Sequence, residues 1–450
     1  MRRLRPLFVT ATLAGTLLLA SLGCEPAIDA YSANDLHAFG VARFERLDTA
    51  DDAAADAARV VQAWFGTPDQ PRWPADILVA GGDLIDPDSL IRTSGPVRSD
   101  RDDQHYGLYR EHCVTCHGIA GDGRGPAARF QSPYPRDLRR GVFKWKTTER
   151  NAKPVRDDFR RLLEHGVPGT AMPRFAGIDV ADREALIDHL IYLSIRGEVE
   201  RKLIESAIRE IGYGDGEDVA DADRLSVRPD TPGGQASIEI LQRVVQSWVD
   251  ADSRVVKLPS LVSETIATPE TIALGRRVFN GQIAGCAGCH GVDGRGGMPT
   301  LDYDDAVKEY TTRAGIDPRD RVAFSQVKSL GALPARPSQP RVLTGGVFRG
   351  GVFRGGVDDQ SLYCRITQGI AGTPMAAVAV GEGESRTALS VEEVTGLIHF
   401  LQSMDPHGKN LVTGKNVDAG KNLIAGKNLV TGKNVDAGKN LVAGKDGGTE

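Results

Sequence analysis

The sequence predicts a mainly α-helical protein built from two similar units in tandem, joined by helical and irregular segments. Three observations carry that expectation. Four landmarks recur in one order: RVVQAW at 59–64 and RVVQSW at 243–248, CVTCHG at 113–118 and CAGCHG at 286–291, PRDLRRGVF at 135–143 and PRVLTGGVF at 340–348, GVPGTAMP at 166–173 and GIAGTPM at 369–375. A conserved order of landmarks within one chain is what tandem duplication leaves. Near the end of each unit apolar residues return close to every 3.6 positions, as in Leu186, Ile187, Leu190, Ile191 and Leu193, which is the pattern of an amphipathic helix. The run at 390–404 also opens on Ser390 with Glu393 three residues on, the capping-box signature of a helix start.

The elements follow in order along 450 residues, room for two or three domains. Residues 1–23 read as an export signal: Arg2, Arg3 and Arg5 make a basic start, an apolar run extends from Leu7 to Leu22, and small residues precede Cys24. SLGC at 21–24 resembles a bacterial lipobox, with Ser21 where leucine is usual, so Cys24 is the expected lipidation site. An uncleaved anchor helix or ordinary cleavage nearby are the alternatives, and each places the globular part outside the cytoplasm. Residues 24–100 read as an N-terminal helical and linker region, 101–198 as the first domain, and 199–262 as a linker with an amphipathic helix, because 198–230 is charged and could continue a helix before it breaks at Pro229 and TPGG. The second domain is 263–406, with an insert around 301–339 that has no counterpart in the first. The tail 407–450 cycles through GKNLVT, GKNVDA and GKNLIA, too few hexapeptides to stack into coils, and reads as flexible.

With 26% charged and 40% hydrophobic residues and a net charge of −5, the composition is that of an ordinary soluble protein and excludes nucleic acid as a partner class. Four of the six cysteines lie in two C-x-x-C-H runs, Cys113, Cys116 and His117, then Cys286, Cys289 and His290. Three chemistries compete for such a run. Zinc needs four ligands, and each run has its own downstream repeat rather than a shared partner. A dithiol redox pair needs no adjacent histidine and would accompany a βαβ pattern that the sequence lacks. Covalent haem attachment uses every residue: two thiols a helical turn apart form thioethers, and the next histidine coordinates the iron. The cofactors expected are two covalently bound haems c.

Each iron then needs a sixth ligand from farther along the chain. Between His290 and His399 no histidine occurs, Met298 is too close to His290 to cross the ring, and Met375 remains. Met172 holds the matching place in the first unit, with His165 as a rival. Arg136 and Arg341, at equivalent places in the repeat, are candidate contacts for haem propionates. Cys364 reads as a small buried hydrophobe.

These residues resemble those of class I cytochromes c: a helix leading into C-x-x-C-H, a glycine-rich loop, a distal methionine in a GT(P)M context, and a C-terminal helix crossing the first. Gly275 and Phe279 look like the glycine and aromatic of that first helix, and Tyr109 holds the aromatic place in unit one, where His105 replaces the glycine. Phe279 lies seven residues before Cys286, so that helix must bulge or end early. The resemblance covers roughly 105–195 and 270–405. It implies two class I cytochrome c domains in tandem that relay single electrons in a respiratory chain of the bacterial envelope, without substrate turnover. The implied partners are the membrane, through a lipid anchor on the periplasmic side, and redox proteins: a terminal oxidase of the cbb type, a quinol-oxidising complex, or a dehydrogenase whose electron-transfer subunit this would be. A dihaem peroxidase is a further alternative that matched methionines disfavour.

Overall fold

The computed structural model describes residues 27–48, 50–216, 218–296, 302–344, 353–381 and 387–404. The export segment with Cys24, Met298, most of the GGVFR duplication and the hexapeptide tail lie outside the described residues. Helices dominate, and the strands β1 (Arg98–Ser99) and β2 (His105–Tyr106) form one two-residue antiparallel ladder. No described helix is long and apolar enough to cross a membrane.

The first core gathers helices from a wider stretch than 101–198. Helix α1 (Asp35–Glu45) and α2 (Asp51–Phe65) precede it, and α2 buries Ala53, Ala57, Val60, Val61 and Trp64 along one face. Helix α3 (Pro87–Thr93) leads through the β1–β2 hairpin to α4 (Leu108–His112) and α5 (Val114–His117). The single helix expected before the first C-x-x-C-H is therefore split in two by a hairpin. Helix α6 (Arg156–His165) is followed by α7 (Val180–Ser206), which Asp179 caps by accepting the Ala181 N–H at 2.8 Å.

Helix α7 runs well past Ile195 into the charged stretch read as a linker. The reason is that its charges are paired indoors: Arg196 with Glu200 at 3.3 Å, Lys153 with Glu198 at 2.6 Å, and Arg201 with Glu309 at 3.0 Å. Helix α8 (Pro232–Val249) starts with Thr231 accepting the Gly234 N–H and proline in the first turn. It carries RVVQSW, yet it does not lead the second unit. Val244, Val245 and Trp248 join the first core, where Trp248 stacks on Phe159 and meets Phe143 edge-on. The copied sequence thus has a different address: both RVVQ helices bury their apolar faces in the same core.

The second core is smaller. After α9 (Ser260–Glu264), α10 (Pro269–Asn280) is capped by Thr268 and ends at Asn280, so the extra residues before Cys286 are absorbed by a turn and not by a bulge. Helix α11 (Cys286–His290) follows, then α12 (Arg321–Ser329) inside the insert, α13 (Asp359–Gln368) and α14 (Val391–Ser403). The expected capping box is present: Ser390 Oγ accepts the Glu393 N–H at 3.2 Å, and the Ser390 N–H reaches the Glu393 carboxylate at 3.0 Å. Helices α10 and α14 cross at glycines, since a Cβ on Gly275 would lie 1.8 Å from the Gly396 carbonyl oxygen. One turn on, Phe279 meets Phe400 edge-on with ring centroids 5.5 Å apart, and burying Phe279 contributes roughly 2–3 kcal/mol.

The insert is a strap. Residues 302–338 leave the second unit and lie on the first, where Leu36 and Tyr134 share a third apolar cluster with Val307, Tyr310, Ile316 and Val327. Polar contacts fix it: the Tyr134 hydroxyl donates to Pro334 O at 2.8 Å, Arg43 donates to Ala314 O at 3.1 Å, and His37 and Arg201 both pair with Glu309.

Candidate functional site

Both C-x-x-C-H runs take the same local form. Each is a short helix closed by a glycine in the left-handed region, Gly118 at φ +73° and Gly291 at φ +73°, which only glycine enters without strain. Beyond it the chain folds back identically. Gly123 N–H donates to His117 O at 2.8 Å and Gly296 N–H to His290 O at 2.6 Å; Leu138 N–H donates to Gly121 O at 2.7 Å and Leu343 N–H to Gly294 O at 2.8 Å.

That fold-back brings the PR dipeptides over the histidines. The Nδ1 of His117 lies 3.0 Å from Arg136 O, and the Nδ1 of His290 lies 2.8 Å from Arg341 O. A proton held on Nδ1 by a backbone carbonyl leaves Nε2 as the basic nitrogen and fixes the ring's orientation, the arrangement that suits an imidazole ligand. Burial lowers the pKa of both rings, so both are neutral at pH 7. Burial, then the neighbouring Cys116, pushes the Cys113 thiol up to about 12, and burial pushes Cys286 up to about 11. Cys113, Cys116, Cys286 and Cys289 are free thiols, and among the described residues no three His, Cys, Asp or Glu side chains converge on a metal-sized site. On the histidine geometry and the free thiol pairs, the residues present fit covalently attached haem.

The methionine loops are equally alike. In the first, Thr170 Oγ1 donates to Val167 O at 2.8 Å and accepts the Met172 N–H at 3.1 Å, while Val167 N–H closes the turn on Met172 O at 3.1 Å. In the second, Thr373 Oγ1 donates to Ile370 O at 2.8 Å and accepts the Met375 N–H at 3.2 Å, with Ile370 N–H on Met375 O at 3.1 Å. Both methionines are half-buried and His165 is exposed at the end of α6. The helix pair behind each site also corresponds: Tyr109 stacks on His189 of α7 at 4.4 Å, as Phe279 meets Phe400 of α14.

Residues 100–190 match the family model for cytochrome c oxidase, cbb3-type, subunit III. This stretch is a cytochrome c domain. It implies covalently bound haem c and electron transfer between redox proteins. No curated protein matches the chain. Among solved structures, a chain of the Kuenenia stuttgartiensis reducing HAO-like protein complex Kustc0457/Kustc0458 is 21% identical, over 69% of this chain and 98% of that one, with a TM-score of 0.35.

The arginines named from the repeat sit differently from one another. Arg136 pairs with Asp305 of the strap, to which Arg140 also binds at 2.6 Å; the two guanidiniums and Lys144 hold that carboxyl well below the usual range although burial opposes them. Arg341 lies beside the first methionine loop, its guanidinium 3.5 Å from where a Gly169 Cβ would be. Two arginines outside the repeat landmarks also touch these loops. Arg354 donates to Gly169 O at 3.2 Å, and Arg150 donates to Met375 O at 3.1 Å. Neither carries a sequence signal, because each acts on the loop of the other unit. Cys364 is buried, its thiol 3.7 Å from Thr147 O.

Proposed function

We propose that the chain is a dihaem c-type cytochrome that relays single electrons in the bacterial envelope and donates to, or forms part of, a terminal oxidase. In the first domain Cys113 and Cys116 would hold haem c as thioethers, with His117 and Met172 as the iron ligands. In the second, Cys286 and Cys289 would do so, with His290 and Met375. The bound haem supplies a reversible one-electron couple whose potential thioether ligation raises.

The observation that carries this reading is the recurrence of one hydrogen-bond set in both units: Nδ1 of His117 and His290 on an arginine carbonyl, and a threonine hydroxyl bracing Met172 and Met375. The chain's contribution is to orient each imidazole, to hold each methionine loop in a fixed turn, and to back each site with a pair of packed helices. The match of residues 100–190 to an oxidase subunit model favours an oxidase as the partner class. Acylation of Cys24 would keep the domains at the periplasmic face of a membrane.

Alkaline pyridine haemochrome should report two haems c per chain. Met172→Ala and Met375→Ala should each lower one midpoint potential and remove part of the long-wavelength thioether–iron absorbance. One haem per chain, or variants that leave both potentials in place, would refute the assignment.

A further inference from the structure

We infer that Arg150, a residue of the first unit, is a positioning residue for the Met375 loop of the second. The inference rests on the two-haem reading above. Arg150 Nη1 donates to two carbonyls of the second unit, Gln368 O at 3.0 Å and Met375 O at 3.1 Å, and its backbone N–H donates to the Gln368 side-chain oxygen at 3.2 Å. Gln368 is the last residue of α13, where carbonyls lack intrahelical donors and the helix dipole favours a cation. One guanidinium therefore joins the end of that helix to the carbonyl of Met375.

The loop is shaped to receive it. A Cβ on Gly369 would lie 2.5 Å from Met375 O and 2.3 Å from Arg150 Nη1; the backbone contact and a φ of +65°, which glycine adopts freely, keep the position bare. Met375 O then accepts two donors, the Ile370 N–H of its own turn and Arg150 from across the seam.

Arg150 is itself held firmly. Glu149 N–H donates to Arg254 O at 3.0 Å, Val256 N–H donates to Thr147 O at 2.9 Å, and Thr147 is tied to Asp158 of α6 by its backbone and its hydroxyl, both at 3.0 Å. Through Thr147 and Asp158 the segment that carries the guanidinium is tied to α6 of the first core, so the turn around Met375 is braced against the neighbouring unit. Arg354 makes a weaker reciprocal contact on Gly169 O, and the two loops are cross-linked through opposite partners.

The test is Arg150→Gln in the full-length holoprotein. The part of the thioether–iron absorbance that Met375→Ala removes should weaken, one midpoint potential should fall, and the part assigned to Met172 should stay. Hydrogen exchange at the Ile370 and Thr373 amides should quicken roughly tenfold, the loss of about one charged hydrogen bond. Arg150→Lys, which keeps the charge but not the fork, should restore part of the band, and it serves as the readout if the glutamine variant folds poorly. Unchanged absorbance, potentials and exchange in both variants would overturn the inference. A Met375→Ala protein with an unaltered band would instead overturn the ligand assignment beneath it.

Discussion

Acid should weaken the first core through His189. This ring lies inside the core, stacked on Tyr109 at 4.4 Å and near Tyr192 at 5.8 Å, with Nδ1 2.9 Å from the Thr93 hydroxyl. Thr93 donates its own proton to Ser89 O at 2.7 Å, so it accepts from Nδ1–H, and acid would place the second proton on a desolvated Nε2. Burial alone takes the pKa from 6.5 to about 3. Because the folded value lies below the unfolded one, the folded state binds fewer protons. Stability is full above 6.5 and is lost as pH falls toward 3, at about 1.4 kcal/mol per unit. Between pH 7 and pH 5 this amounts to about 2 kcal/mol. The assay is urea unfolding of the wild type and of His189→Phe, the residue type that the second unit places here as Phe400. The variant should be less stable at pH 7, for want of the Thr93 bond, and the gap should narrow by about 2 kcal/mol at pH 5. A gap that is the same at both pH values would refute the argument.

Gly275→Ala should cost about 3 kcal/mol by chemical denaturation, because α10 and α14 must separate to admit a methyl group, whereas Gly177→Ala, with nothing within 4 Å, should be close to neutral. Asp305→Asn should leave Arg136 and Arg140 half-buried without their anion, at a cost of roughly 3 kcal/mol, and limited proteolysis should then cut within 306–335 several-fold faster. Thr373→Val should remove the hydroxyl that bridges Ile370 O and the Met375 N–H, cost about 1 kcal/mol, and speed exchange in that loop alone; Thr170→Val should do the same at Met172.

Much of the local structure was legible in the sequence and much of the assembly was not. Ser390 and Glu393 announce a helix start that forms as written, and the spacing from Phe279 to Cys286 requires α10 to bulge or stop early, of which it does the second. These are rules of a single turn, carried by residues a few positions apart. That the continued helix belongs to the first core and not to a linker was hidden because Arg196, Glu198, Glu200 and Arg201 look like a solvated run when their partners are not known. Two of those partners, Lys153 and Glu309, stand 45 and 108 positions from their mates. RVVQSW shows a related limit: a repeat records common ancestry, while the core that a helix joins depends on which apolar face is open beside it. Arg150 and Arg354 could not be found from either unit considered alone, since each serves its neighbour.

The strap sets an order of assembly. Synthesis begins at the N-terminus, so Leu36 and Tyr134 leave the ribosome long before Val307, Tyr310 and Val327, which cover them. A nascent first half carries a bare apolar patch until more than three hundred residues have emerged. Severing the chain after α8 would strand that patch permanently, and the half-protein should self-associate. The two halves are thus less like beads on a string than like a parcel whose wrapping is the last part to be made.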